Sequence, residues 1–358
     1  IFHGGYREPR GWDAYQAGFG GKRADKVAPP GEGIRIKTGV IDTDNDSETG
    51  EGRMADWAIA QLNRPHDKPF FIAMGLYQPH EPWVSPTRYY QQHPLDAVHL
   101  PDVPEDDLGD VPAAGRLFAD EIVGFHHWND HADISAVPGA RRQLVRGYLA
   151  SCTFSDSNVG RLLDALHKSP HADNTVVVLW GDHGFHLGEK NAWRKMTLWE
   201  RGTRTPLIVM LPGQVKGTRV DPPVSLLDIY PTLVALCGLQ IDQPLDGVSL
   251  GPLLDDPDAD WDRPVIMSHG PGNFAVRSGP WRLIRYTDGS EELYNIAQDP
   301  AEHHNLALDA KHDDTRRQLR GHLPKTWVYN VCPRFERFGG AFAKPPTSAI
   351  GESPPVTP

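Results

Sequence analysis

Asn174-Thr175-Val176-Val177-Val178-Leu179-Trp180, followed at once by Gly181-Asp182-His183-Gly184-Phe185-His186-Leu187-Gly188-Glu189, is the stretch on which the fold turns. Its first half is a continuous apolar and β-branched run, the pattern of a central parallel strand covered on both faces. Its second half opens a loop at the strand's carboxyl end, where ligands collect in an open parallel sheet. Working outward, residues 139 to 168 place Leu144, Val145, Tyr148, Leu149, Cys152, Val159, Leu162, Leu163 and Leu166 on one face of a long amphipathic helix that stops before Pro170. Pro206 to Leu211 is a second buried strand, and Leu226 to Cys237 a helix closed by Gly238. Upstream, Met54, Trp57, Ala58 and Leu62 predict a helix over Arg53 to Asn63, and Pro69 to Gly75 predicts another buried strand. Helices alternating with strands give an α/β fold with a mostly parallel central sheet flanked by helices.

The flanking regions differ. Residues 1 to about 50 are rich in Gly, Pro and charge, and predict a surface-hugging segment without a helix. Asp42, Asp44 and Asp46 alternate as in a calcium loop, but Ser47 and Arg53 stand where an EF-hand needs Gly and Glu, so they read as a solvated acidic turn. From 84 to 137 five prolines interrupt the chain and predict an irregular surface excursion. After about 264 the pattern changes to short segments, Val265 to Ser268, Phe274 to Arg277, Trp281 to Tyr286 and Glu292 to Tyr294, separated by turns. These predict antiparallel hairpins and, with a last helix near Lys311 to His322, a smaller C-terminal α+β subdomain. The expected organisation is a first domain over 1–263, a second over 264–335, and a Pro-rich tail over 336–358.

With 36 Lys plus Arg against 47 Asp plus Glu, the net charge of −11 argues against nucleic acid as a partner. The 35 Gly and 33 Pro of 358 residues belong to no repeat and signal many loops between ordered elements. Phe70 to Met74 and Val176 to Trp180 fall far short of the roughly 18 apolar residues of a membrane span. Cys152, Cys237 and Cys332 build neither a disulfide framework nor a zinc pattern, and Ile1 to Tyr6 does not read as a signal peptide.

Three segments carry chemistry. Asp182 and His183 project from a Gly-bracketed turn where a cation or oxyanion could sit, although Asp and Gly also make ordinary turns. His80 lies in Leu76-Tyr77-Gln78-Pro79-His80-Glu81-Pro82-Trp83, a Pro-bracketed loop just past a predicted strand. Lys195 stands among Trp193, Met196, Leu198 and Trp199, either snorkelling to water or held near an anion. His126, His127 and His131 cluster without a convincing carboxylate or Cys spacing. No Gly-x-Ser-x-Gly elbow, P-loop or dinucleotide fingerprint occurs.

Gly181-Asp182-His183-Gly184, Leu187-Gly188-Glu189 and Lys195 together resemble the metal-and-lysine motif of sulfatases in the alkaline phosphatase superfamily. His183 and Ile1-Phe2-His3-Gly4 resemble the iduronate-2-sulfatase branch, as does Phe70 to Pro82. Trp281-Arg282-Leu283-Ile284, Glu292-Leu293-Tyr294-Asn295 and Asp299-Pro300-Ala301-Glu302 through Asn305-Leu306 are similar to the family's C-terminal subdomain. The resemblance runs from the first residue to about 308. It implies that Asp182 and His183 ligate a divalent cation, calcium in this family, that Lys195 and His80 bind the sulfate and steady the leaving oxygen, and that His3 acts on the covalent intermediate. Trp83, Phe185, His186 and Arg194 are expected at the substrate, with Lys190 adding positive charge. The implied activity is sulfuric ester hydrolysis on a sulfated sugar or polysaccharide, and the implied location periplasmic or extracellular.

Two departures stand out. Gln78 occupies a position where the branch often has Lys. The family's nucleophile is a formylglycine made from Cys or Ser in a Cys/Ser-x-Pro/Ala-x-Arg motif, and none of the three cysteines fits it. Ser278-Gly279-Pro280-Trp281-Arg282 matches the minimal serine pattern but lies after the metal motif, in the predicted hairpins. The sequence is therefore expected to lack an N-terminal part that carries the formylglycine. A phosphodiesterase or phosphonate monoester hydrolase shares the metal layout, and a catalytically inactive carbohydrate-binding relative would also lack the nucleophile.

Overall fold

The computed structural model describes residues 11–16, 18–120, 131–214 and 217–326. In chain order the elements are β1 (Val27–Ala28), β2 (Thr38–Ile41), α1 (Gly50–Leu62), β3 (Trp83–Pro86), α2 (Thr87–Gln91), α3 (Ala113–Ala119), α4 (His131–Ala136) and α5 (Ala140–His167). There follow β4 (Val177–Trp180), β5 (His186–Leu187), β6 (Trp193–Arg194), α6 (Glu200–Thr203), β7 (Leu207–Met210), α7 (Ile229–Leu236) and α8 (Gly251–Asp255). The C-terminal elements are β8 (Val265–Ser268), β9 (Phe274–Ser278), β10 (Trp281–Arg285), β11 (Glu291–Asn295) and α9 (Asp313–Arg320). The mixture is α/β, and none of the described helices is long and apolar enough to cross a membrane. The chain divides into two compact units, one of residues 1–101, 130–177 and 209–213, the other of 102–129, 178–208 and 214–358. This division cuts across the boundary expected at 263/264, because 178–208 clusters with the C-terminal sheet.

In the first unit, β2 pairs parallel with β3, Thr38 opposite Trp83 and Ile41 opposite Pro86, while β1 runs antiparallel to β2. Helix α1 begins where the Thr49 hydroxyl accepts from Gly52 N at 3.0 Å, a side-chain cap on an otherwise orphan donor. Its small apolar stripe, Ala55, Ala58 and Leu62, is buried, as are Leu144, Val145, Ala150 and Phe154 of α5, and the two helices pack on each other. At Gly52 a Cβ would overlap the carbonyl of Asp46, so the tight turn into α1 requires glycine.

Several expectations are corrected here. Pro69 to Gly75 forms no strand, and Phe71 is 63% exposed; an apolar run becomes a strand only where a ladder partner takes its N–H and C=O groups, and no described segment does so. The N-terminal fifty residues are not merely draped on the surface, since β2 lies within them and Ile34, Ile36 and Ile41 are buried. Asp46 is not solvated: it is 5% exposed, paired with Arg88 at 2.6 Å and accepting from the Tyr89 hydroxyl at 2.6 Å. The region 84–137 holds β3, α2, α3 and α4 among its loops.

The second unit is built on an antiparallel sheet in the order β11-β10-β9-β8. Its two faces follow from the two-residue period of a strand. Val276, Leu283 and Leu293 are in register and bury against Ala307 and Leu319, the latter on α9. The alternate residues Ala275, Ile284 and Tyr294 bury against Val111, Phe118, Leu198 and Trp199. The same alternation puts Glu292 opposite Ile284 and Arg282 opposite both Tyr294 and Arg277, so charged groups enter the packed face. Strand β4 pairs with β7 in a two-stranded sheet. It is half-buried, with Trp180 39% exposed, rather than covered on both faces as its composition predicts.

Candidate active site

The sequence candidates fall in two segments, each organised within its own unit. In the second unit, β5 and β6 form a short antiparallel hairpin, His186 opposite Arg194 and Leu187 opposite Trp193. The turn between them uses Gly188, Lys190 and Asn191, all with positive φ, and the Glu189 carboxylate accepts from Leu187 N at 2.7 Å. Along the chain, Asp182 and His183 precede β5 and Lys195 directly follows β6. The Asp182 side chain is 78% exposed and that of His183 31%, with His183 Nε2 3.5 Å from Asp182 Oδ1. His183 Nδ1 donates to the Gly184 carbonyl at 2.7 Å. That bond puts the proton on Nδ1 and turns Nε2 toward the Asp182 carboxylate. Gly181 and Gly184 are not needed for positive φ; at Gly184 a Cβ would overlap the Arg201 and Arg204 carbonyls, and at Gly181 the Thr205 hydroxyl.

The segment that follows the hairpin, Leu198 to Glu200, is tied to the C-terminal sheet by buried charge. Arg282, 2% exposed, donates to the Leu198 carbonyl at 2.7 Å and pairs with Glu200, while its Nε lies 3.3 Å from Glu302 Oε1. Glu302 Oε2 accepts from Glu200 N at 2.7 Å. Glu302 is 1% exposed and adopts φ +60°, a conformation that costs a non-glycine residue about 1–2 kcal/mol. Burial pushes its carboxyl up to about 7 against the opposing pull of Arg282. Fully buried Glu292 accepts from Trp199 Nε1 at 2.8 Å and from the hydroxyls of Tyr286 and Tyr294, and burial holds its carboxyl above the usual range. Lys190 and Asp107, each side chain 1% exposed, pair at 3.1 Å.

Burial corrects four expectations. His186 is 0% exposed, bonded to the Thr197 hydroxyl at 2.7 Å and to the Glu189 carbonyl at 3.1 Å, and burial pushes it down to about 4. It is a neutral packing group, not a leaving-group contact. Arg194 is 5% exposed at φ +77° and Trp83 0% exposed, so neither reaches a ligand from this arrangement. Lys190 adds no charge to the site, because Asp107 neutralises it inside the fold. Phe185 and Lys195 are half-buried and keep a surface.

In the first unit, His80 sits between Pro79 and Pro82 on a loop closed by His80 N to the Tyr77 carbonyl at 2.9 Å. Its Nδ1 donates to the Glu81 carbonyl at 2.6 Å, and its ring lies 4.7 Å from that of Tyr77. Ser155 Oγ donates to the Gln78 carbonyl at 2.9 Å, Gln78 Nε2 to the Pro82 carbonyl at 3.1 Å, and Trp83 Nε1 to the Pro79 carbonyl at 2.8 Å. Gln78 is thus a loop brace, and Trp83 serves from the core.

His3, His126 and His127 lie outside the described residues. Among the described residues no three His, Cys, Asp or Glu side chains gather to hold a metal ion, so Asp182 and His183 stand as two donors. A recess of about 430 Å³ lined by Asp44, Asp46, Ser47, Arg88 and Arg161 includes none of the candidates.

Fold and site together define a class. The sulfatase family model matches residues 4–239, and that of the N-sulphoglucosamine sulphohydrolase C-terminal region matches 188–328. The chain belongs to the sulfatase family. It is 36% identical over 284 residues to a sulfatase of Formosa agariphila, covering 79% of this chain and 55% of that protein. It is 30% identical over 199 residues to an N-acetylglucosamine-6-O-sulfatase of Bacteroides thetaiotaomicron, covering 52% of this chain and 36% of that protein. A solved structure bound to D-glucosamine-2-N,6-O-disulfate superposes with a TM-score of 0.60 at 22% identity, over 81% of this chain and 70% of that one; at that identity the likeness speaks to the fold, which is the sulfatase and alkaline phosphatase-like one. The chain spans about half the length of the curated relatives it matches.

Proposed function

We propose that this chain supplies the metal-and-lysine segment, the His80 loop and the C-terminal subdomain of a sulfuric ester hydrolase that removes sulfate from a sulfated carbohydrate. The observation that supports the reading is the pairing of His183 Nε2 with the Asp182 carboxylate at 3.5 Å, just before the hairpin that Lys195 follows. The Lys195 ammonium offsets charge on the sulfate oxygens, which grows as the S–O bond breaks. His80, with Nδ1–H committed to the Glu81 carbonyl, carries its exchangeable proton on Nε2 and as imidazolium gives it to the departing sugar oxygen. Asp182 and His183 fit two positions of a divalent-cation site, a carboxylate oxygen beside an imidazole nitrogen with its tautomer fixed. Calcium prefers oxygen, so Asp182 is the natural ligand and the remaining oxygens would come from elsewhere. The cation, when bound, would polarise the sulfate ester as a Lewis acid.

The family's formylglycine falls outside these 358 residues in this reading, since neither the cysteines nor Ser278 meets the motif in a suitable place. These residues alone are then expected to release no sulfate, and clear turnover by them would contradict that part. His3 keeps its proposed role in the second half of the reaction, and the iduronate-2-sulfatase-like branch remains part of the proposal. The N-acetylglucosamine-6-O-sulfatase among the relatives supports an amino-sugar sulfate as first substrate to test, beside a sulfated uronate. The test is sulfate release, by ion chromatography, from 6-O-sulfated glucosamine, 2-O-sulfated uronate and an aryl phosphonate, with a longer form that carries the nucleophile motif. Sulfate from either sugar supports the reading; turnover of the phosphonate alone would overturn it.

A further inference from the structure

The loop that carries His80 poses a problem of backbone accounting. Pro79 and Pro82 have no N–H, and the loop's carbonyls are served by Ser155, Gln78, Trp83 and the Tyr77 hydroxyl, all of them donors. The N–H groups of Tyr77 and Gln78, at the loop's entrance, need an acceptor, since buried backbone donors are almost always paired. Both find it in one atom: Glu51 Oε1 accepts from Tyr77 N at 2.8 Å and from Gln78 N at 2.6 Å. Glu51 lies in the first turn of α1, fixed in place by the Thr49 cap and by the close approach at Gly52. It is 9% exposed, and its Oε2 is buried without a hydrogen-bond partner among the described residues. Holding a carboxyl group there is costly, so what it does for the loop must offset that cost.

We propose that Glu51 is a positioning residue for His80, setting the loop through the Tyr77 and Gln78 amides. The proposal rests on the reading of His80 as the proton donor to the leaving oxygen, and its structural half can be tested without that reading. Glu51→Gln keeps a carbonyl oxygen for the two N–H groups, whereas Glu51→Met keeps the length and removes the acceptor. In the 358-residue chain, amide exchange at Tyr77 and Gln78 is expected to accelerate at least about 100-fold in Glu51→Met relative to the amides of Ala55 and Ala58, with a shifted His80 ring resonance, while Glu51→Gln leaves both near wild type. In a longer, active form, Glu51→Met is expected to lower kcat about 10- to 100-fold, the scale of a displaced catalytic group, with KM changed far less.

Unchanged exchange and an unchanged His80 resonance in Glu51→Met would overturn the proposal, as would a Glu51→Gln variant as disruptive as Glu51→Met. If Glu51→Met fails to fold, the wild-type chain decides: Tyr77 and Gln78 amides exchanging as fast as exposed loop amides would overturn it, and protection retained in Glu51→Gln would support it. Full activity in His80→Ala would instead break the reading of His80 and leave the exchange result standing.

Discussion

The His80 loop and the Asp182–Lys195 hairpin are both irregular segments that present charge, yet they are held in opposite ways. The loop is held by neutral and backbone groups around a single carboxyl, Glu51, that accepts two N–H bonds. The hairpin is held by the buried Lys190–Asp107 pair, and the segment after it by a buried ionic network of Arg282, Glu200 and Glu302. Loss of that single acceptor leaves two N–H groups unpaired at the loop's entrance, a local change. A buried network cannot lose one member without leaving its partner charged and unsolvated.

That contrast makes its strongest prediction at Arg282. Arg282→Met is expected to cost about 3–5 kcal/mol, because Glu200 and Glu302 lose their shared counter-ion inside the fold; a loss under 1 kcal/mol in denaturant unfolding would place the anchor elsewhere. Trp199→Phe takes one of three donors from Glu292 and should cost about 1–3 kcal/mol. The pH response carries two signs, one shared by both regions. Burial raises Glu51 and Glu302 to about 7, so their contribution is fully present below the ordinary carboxylate value near 4.5 and is lost as pH rises through about 7. His186 has the opposite sign: depressed to about 4, it contributes above its ordinary 6.5 and loses that contribution as pH falls through about 4. Glu51→Gln, which mimics the protonated form, should therefore be more stable than wild type at pH 8, by an amount on the order of 2 kcal/mol, and indistinguishable at pH 4.5. Equal stability at pH 8 would show that Glu51 stays ionised without penalty. At the bottom of the scale, Lys22→Ala removes an ion pair to Glu48 that both partners hold half in water, and no change in the unfolding midpoint is expected.

Legibility followed the range of the interactions. Helices α1 and α5 and strands β9 to β11 were readable because their signals are local: a cap, a 3.6-residue stripe, a two-residue alternation between turns. Strand β2 was not, because Thr38-Gly39-Val40-Ile41 is short and sits among Gly and charge, and its partner β3 is more than forty residues away. The run at Phe70 misled for the converse reason, since composition proposes a strand but only a partner makes one. The motif residues Asp182, His183 and Lys195 were legible by their spacing along the chain, on either side of the short hairpin β5–β6. His186 and Lys190, within the same motif, were misread as ligand-facing, because what buries them comes from Thr197 and from Asp107, the latter 83 residues away. Glu51 gave no sequence signal beyond an acidic residue in a first helical turn. Its role depends on N–H groups 26 and 27 residues on.

The central claim is that His80 and Lys195 act on a sulfate ester. It is tested most directly by sulfate release from a sulfated glucosamine, comparing a form that carries the nucleophile motif with its His80→Ala and Lys195→Ala variants. Each variant is expected to lose about 100-fold or more in kcat while the unfolding midpoint stays near wild type; rates unchanged in both variants would refute those roles.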